Sequence, residues 1–130
     1  MYFLDTNICV YFLKGLYPSI RQQLMSHPPN SIKIPAIVRA ELLYGVEKSI
    51  KKNENKRNLE AFLKPFETIP FTDETAQIYA MVRAEGERSG RVVGPNDLLI
   101  AATVIQNGGI LVTRNMREIS RVEVLKIVEW

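Results

Sequence analysis

Three carboxylates stand where solubility alone does not explain them: Asp5, Glu41 and Asp97. Asp5 directly follows the apolar run Tyr2-Phe3-Leu4. Glu41 lies inside Ile37-Val38-Arg39-Ala40-Glu41-Leu42-Leu43-Tyr44-Gly45, and Asp97 lies between a Gly94-Pro95 turn and the apolar stretch Leu98 to Gln106. Each also has a plain structural reading: a helix cap, a solvated helix position and a first-turn acid. Crowded together at one end of a sheet, however, three carboxylates repel one another, and burying them unpaired is unfavourable. A divalent cation removes that penalty, and Mg²⁺ or Mn²⁺, which prefer oxygen ligands, are the expected ions. Such an ion polarises a phosphoryl oxygen and generates hydroxide near neutral pH; two ions about 4 Å apart would clamp attacking and leaving oxygens. Convergence of the three acids is an inference from the fold, not from their spacing.

Other chemistries are poorly served. Neither G-x-x-x-x-G-K-[ST] nor G-x-G-x-x-G occurs, so Walker-type and dinucleotide sites are unsupported. One His and one Cys make a zinc site unpromising. The same scarcity weakens Ser/His/Asp and Cys/His catalysis, and His27, beside Pro28-Pro29, is expected in a surface loop. An aspartyl-phosphate mechanism often uses D-x-D after the first strand, where this chain reads Asp5-Thr6-Asn7.

The elements that must position these acids can be read from periodicity and punctuation. Strands are expected at Tyr2 to Leu4, Ile32 to Ile34, Glu67 to Ile69, Ile110 to Val112 and Val122 to Val128. Helices are expected over Ile8 to Lys14, Pro18 to Ser26, Pro35 to Lys51, Asn53 to Lys64, Thr72 to Ser89 and Leu98 to Gln106. Strands alternating with helices predict an α/β fold, a three-layer sandwich with a central parallel sheet. In such sheets ligands gather beyond the carboxyl ends of the strands, at the switch in strand order. Asp5 would sit at that end of the first strand, with Thr113 and Asn115 at that end of the fourth.

The chain has 130 residues, expected to form a single domain over 1–130. Its single Cys9 cannot form an internal disulfide, which suits a reducing compartment. The apolar start carries Asp5 and Asn7 and lacks a basic lead, so it reads as structure, not a signal peptide. No segment approaches a membrane span, and a cytoplasmic location is expected. The net charge is +3. Residues 1–65 carry ten Lys/Arg and five Asp/Glu, whereas residues 66–130 carry seven and nine. This excess permits a polyanionic partner without demanding one.

The chain resembles the PIN-domain ribonucleases, specifically the VapC toxins of toxin–antitoxin pairs. The resemblance runs through Leu4-Asp5-Thr6-Asn7, Ala40-Glu41-Leu42-Leu43-Tyr44-Gly45-Val46, Gly94-Pro95-Asn96-Asp97-Leu98-Leu99-Ile100-Ala101-Ala102, Leu111-Val112-Thr113-Arg114-Asn115 and the terminal Glu129-Trp130. It implies a PIN-like sandwich and endoribonuclease activity with Mg²⁺ or Mn²⁺. Asp5, Glu41 and Asp97 would be the metal-binding acids. Many PIN domains carry a fourth acid after the fourth strand, where this chain has Asn115, a neutral oxygen donor that contributes less charge. Thr113 and Thr6 offer hydroxyls to orient water or substrate. The implied reaction is in-line attack by activated water, leaving 5′-phosphate and 3′-hydroxyl ends.

Arg114 and Arg117 flank the expected site either as phosphate contacts or as solvated surface arginines, and Lys48, Lys51, Lys52, Lys56 and Arg57 form either a solvated helix face or a track for an RNA backbone. The resemblance also implies an RNA substrate, a cognate antitoxin protein that covers the site, and a homodimer. Tyr11, Phe12, Leu16 and Tyr17 are expected chiefly in the core, with a partner groove as the other reading. Two rivals remain open: a housekeeping RNA-processing or DNA-flap nuclease of the same fold, and a non-catalytic regulator that binds protein or RNA through its acidic pocket.

Overall fold

The computed structural model describes residues 1–130. In chain order the elements are β1 (Tyr2–Leu4), α1 (Thr6–Leu13), α2 (Pro18–Ser26), β2 (Ile32–Pro35), α3 (Ala36–Glu47), α4 (Lys52–Leu63), β3 (Glu67–Ile69), α5 (Asp73–Arg88), α6 (Pro95–Gln106), β4 (Ile110–Val112), α7 (Met116–Ile119) and β5 (Lys126–Val128). The five strands form one parallel sheet in the order β3-β2-β1-β4-β5. Because parallel crossovers are right-handed, connections to the left and right of β1 fall on opposite faces. Accordingly α1 to α4 pack against one another, while α5 packs on α6.

The central strands β1 and β4 are short but apolar along their length, as expected for strands covered on both faces, whereas Lys33 of β2 pairs with Glu67 of β3 at 2.8 Å. Phe3, Leu4, Ile32, Ile34, Leu111 and Val112 are buried, and they join one core with Ile8, Val38, Leu59 and Ile100. α6 is the most enclosed helix: Leu98, Ile100, Ala101, Ala102, Thr103 and Val104 are all buried. Thr72 caps α5 reciprocally with Thr75, whose amide and hydroxyl are both engaged.

Three expectations change. The final strand spans only Lys126–Val128, and the segment before it holds a one-turn helix, α7, that no periodicity announces. α3 stops at Glu47 rather than running on to Lys51, since Ser49 turns its hydroxyl back onto the Val46 carbonyl at 2.7 Å. His27 does not stand free in a loop; its ring stacks on Trp130 at 4.9 Å and meets Tyr2 edge-on at 4.7 Å. Of the apolar residues near the chain start, Tyr11 and Phe12 pack against the core, whereas Leu16 and Tyr17 lie exposed.

Candidate active site

β1 and β4 are neighbours on either side of the switch in strand order, with Leu4 opposite Val112. The next residues, Asp5 and Thr113, therefore emerge side by side at the carboxyl edge of the sheet. The Asp5 amide donates to the Val112 carbonyl at 3.2 Å, and the Thr113 amide donates to the Val128 carbonyl at 3.0 Å. Asp5 is the N-cap of α1: its Oδ1 accepts from the Ile8 amide at 2.9 Å. Only 7% of Asp5 is exposed. Burial pushes its carboxyl pKa above the ordinary value, the Thr113 hydroxyl and Ile8 amide pull it back, and the charge of Glu41 pushes it further up.

Glu41 comes from the middle of α3 and is oriented from two other segments. The Thr6 hydroxyl donates to Oε1 at 2.8 Å, and the Asn96 amide donates to Oε2 at 3.4 Å. Asp97 sits in the first turn of α6, half-buried, and its pKa is pushed up to about 6. Desolvation is the largest cause, followed by the charges of Glu118, Asp5 and Glu41. The three acids singled out in the sequence thus feel one another's charge.

They also feel a fourth. Glu118 stands on α7, with Oε1 accepting from the Gly94 amide at 3.1 Å and Oε2 from the Asn115 side-chain amide at 3.2 Å. Those two hydrogen bonds hold its pKa below the usual value. The fourth acid sought at Asn115 is therefore three residues further on, and the Asn115 side chain holds it in place. Thr113 is fully buried and its Oγ1 accepts from the Asn115 amide at 3.0 Å, which fixes the start of this loop. The arginines behave differently from a phosphate clamp. Arg114 sits over Tyr17, with Cζ 4.0 Å from the ring centroid, and donates to Ser19 Oγ at 3.1 Å, while Arg117 is exposed on α7.

Asp5, Glu41, Asp97 and Glu118 present only oxygen donors, an arrangement that suits a hard divalent ion. No three His, Cys, Asp or Glu side chains approach closely enough to hold one ion among them directly. Cys9 follows Asp5 by one turn but contributes nothing: it is buried, and its thiol pKa is raised well above the ordinary value, chiefly by desolvation.

The PIN domain family matches residues 2–125. Over the whole chain the sequence is 41% identical to Ribonuclease VapC2 of Rickettsia felis, covering 100% of this chain and 98% of that protein. The chain is a PIN domain of the VapC family. It is also 34% identical to the tRNA(fMet)-specific endonuclease VapC of Shigella flexneri, over 99% of this chain and 97% of that one. The VapC fold is equally plain in the solved structures. VapBC2 of Rickettsia felis, bound to a DNA fragment from its promoter, superposes with a TM-score of 0.93 over 99% of this chain and 98% of that chain, at 41% identity. DNA-bound VapBC of Salmonella typhimurium matches with a TM-score of 0.93 at 32% identity, over 99% of this chain and 97% of that chain.

Proposed function

We propose that this VapC-family chain is a metal-dependent endoribonuclease, a single PIN domain over residues 1–130 acting as the toxin of a type II toxin–antitoxin pair. The observation that carries the reading is the meeting of Asp5, Glu41, Asp97 and Glu118 at the carboxyl edge of the sheet, near enough that the charges of the other three help push the Asp97 pKa up. Acids held together against their own repulsion serve a cation. The donor set fits Mg²⁺ or Mn²⁺, with Asp5, Glu41 and Asp97 as the residues that would hold it, directly or through its bound waters. Because no three acids close on one point, the ion is expected to keep several waters beside one or two carboxylates. When bound, it supplies Lewis-acid polarisation of a phosphoryl oxygen and activation of water near neutral pH.

The chain's own residues do the rest. Thr6 and Asn96 fix both oxygens of Glu41, the Ile8 amide and Thr113 orient Asp5, and Asn115 with Gly94 holds Glu118. The names of the Shigella and Rickettsia relatives make RNA the substrate class and tRNA the first molecule to try. The VapBC complexes of Rickettsia felis and Salmonella typhimurium make a cognate antitoxin the expected partner, with cytoplasmic residence and a homodimer as parts of the same reading. No helix is long and apolar enough to cross a membrane.

The test is cleavage of a panel of tRNAs and unstructured RNAs by protein freed of antitoxin, with Mg²⁺, Mn²⁺ or EDTA, beside Asp5→Asn. Cleavage that requires the ion, disappears in Asp5→Asn and leaves 5′-phosphate and 3′-hydroxyl ends is the expected result. Products ending in 2′,3′-cyclic phosphate would overturn the hydrolytic route, and RNA binding without cleavage would favour the regulator.

A further inference from the structure

A groove of about 950 Å³ runs between α1, α3 and α4, with Glu41 as the one acid of the cluster in its lining and apolar walls that include Val10, Leu13, Leu42 and Leu59. Thr6, Tyr44, Lys48 and Lys14 also line it, as do Asn55 and Asn58 of α4. Its volume lies within the range of pockets that hold small organic groups. Tyr44 follows Glu41 by three residues and Lys48 follows Tyr44 by four, so all three share one face of α3 and its continuation.

Tyr44 differs from the other four tyrosines of the chain. Tyr2 packs on Trp130, Tyr11 on Tyr17, Tyr17 carries Arg114, and Tyr79 accepts from Arg83. Tyr44 is 65% exposed, and the one group resting on its ring is Lys48, with Nζ 4.9 Å from the centroid. Neither Lys48 nor Lys14 belongs to any of the ion pairs of the fold. This side of the sheet is also the basic one, because residues 1–65 hold ten of the seventeen Lys and Arg. A largely exposed ring with the Lys48 ammonium over one face and no other ring against it, beside cations outside the ion pairs, is the combination that binds single-stranded nucleic acid: bases stack on the ring and phosphates meet the cations.

We propose that Tyr44 is a stacking platform for one unpaired RNA base adjacent to the phosphate being cleaved, with Lys48 and Lys14 holding the backbone on either side. The inference rests on the ribonuclease reading and deepens it. At a rise of about 1.5 Å per residue, Tyr44 lies about one nucleotide from Glu41 along α3. Stacking selects an exposed base and tolerates its identity, so the groove favours loops and single strands over continuous duplex.

The test uses antitoxin-free protein carrying Asp5→Asn to prevent cleavage, and short unstructured RNAs with 2-aminopurine placed at each position in turn. Binding should change the emission of the fluorophore strongly at one position. Tyr44→Phe should preserve that change and the affinity within about twofold, while Tyr44→Ala should abolish the change and weaken binding about tenfold. Lys48→Gln should weaken binding without moving the fluorescent position. Unchanged emission in Tyr44→Ala would overturn the platform, and so would equal losses in Tyr44→Phe and Tyr44→Ala, which would assign the effect to the hydroxyl. Loss of antitoxin binding in Tyr44→Ala with intact RNA binding would make the groove a protein-docking surface and overturn it too. Cleavage of the same RNAs by protein with Asp5 intact separates the two readings: cleavage without a Tyr44 effect removes the platform and leaves the nuclease standing.

Discussion

Asp97 is the residue whose chemistry is most altered by its surroundings. Its folded pKa of about 6 exceeds the ordinary 3.8, so the folded chain holds that proton more tightly than the unfolded chain. The resulting stabilisation is fully present below the unfolded value and is lost as pH rises through the folded one. In EDTA the melting temperature should fall from roughly pH 5 to pH 7, and Asp97→Asn should flatten that slope. Adding Mn²⁺ should restore the melting temperature more at the higher pH, where the carboxylate is free to bind it. Calorimetry with and without the ion checks both. Glu118→Gln should remove one repelling charge and lower the Asp97 pKa, while weakening Mn²⁺ binding by about tenfold or more, as supporting-residue changes do. A titration followed by the ion's magnetic resonance spectrum reads that directly. Of the four acids, Asp5 was legible because a cap residue after an apolar strand is a local signal, and Asp97 because a Gly-Pro turn precedes it. Glu118 was not, since its role comes from hydrogen bonds to Gly94 and Asn115 and its helix is too short to show a period. Nothing in the spacing of Thr6 and Glu41, thirty-five positions apart, announces their hydrogen bond.

Among the elements, β4 owes its place to a glycine. A Cβ on Gly109 would stand 2.3 Å from the ring of Phe3, which is fully buried and has nowhere to go. Gly109→Ala should therefore destabilise the fold by about 1–3 kcal/mol through forced displacement of β1 from β4. Gly45→Ala, inside α3 with nothing within 4 Å of the added carbon, should have the opposite sign, a gain of about 0.5–1 kcal/mol. Denaturant melts of the two variants side by side check the contrast. Helix starts were readable at Thr72 and Pro18, where a cap or a first-turn proline marks them, whereas α6 begins at Pro95, three residues before the expected Leu98. It overran α3 because helix-compatible residues continue past Glu47, and it overextended the last strand because Val122 and Val124 suit a strand by type. Val122 and Leu125 are buried, but they serve a turn, held by the Leu125 amide on the Val122 carbonyl at 3.1 Å.

At the scale of the molecule, charge is divided by the sheet. The connections left of β1 carry the basic excess and those to the right carry the acidic one, with the carboxylates on the boundary. RNA should approach from the α1–α4 side, and its affinity should fall with salt at a slope near −3 on logarithmic axes if about four phosphates are neutralised. A filter-binding series across ionic strength reads this slope, and a slope near zero would place the RNA elsewhere. The parallel sheet itself was readable from alternation alone, and its strand order follows from handedness once the connections are known. Which helices would meet across the carboxyl edge was not readable, because only the assembled sheet sets β1 beside β4.

That adjacency has a bearing on birth as well as on catalysis. Asp5 leaves the ribosome ahead of its neighbours Asp97, Thr113 and Glu118, which follow it by 92, 108 and 113 residues. With synthesis at about 5–20 residues per second, a nascent chain that has made Asp5 lacks its full carboxylate edge for about 6–23 s more. A toxin wired in this order cannot cut the RNAs of the machine that is making it before Glu118 has emerged.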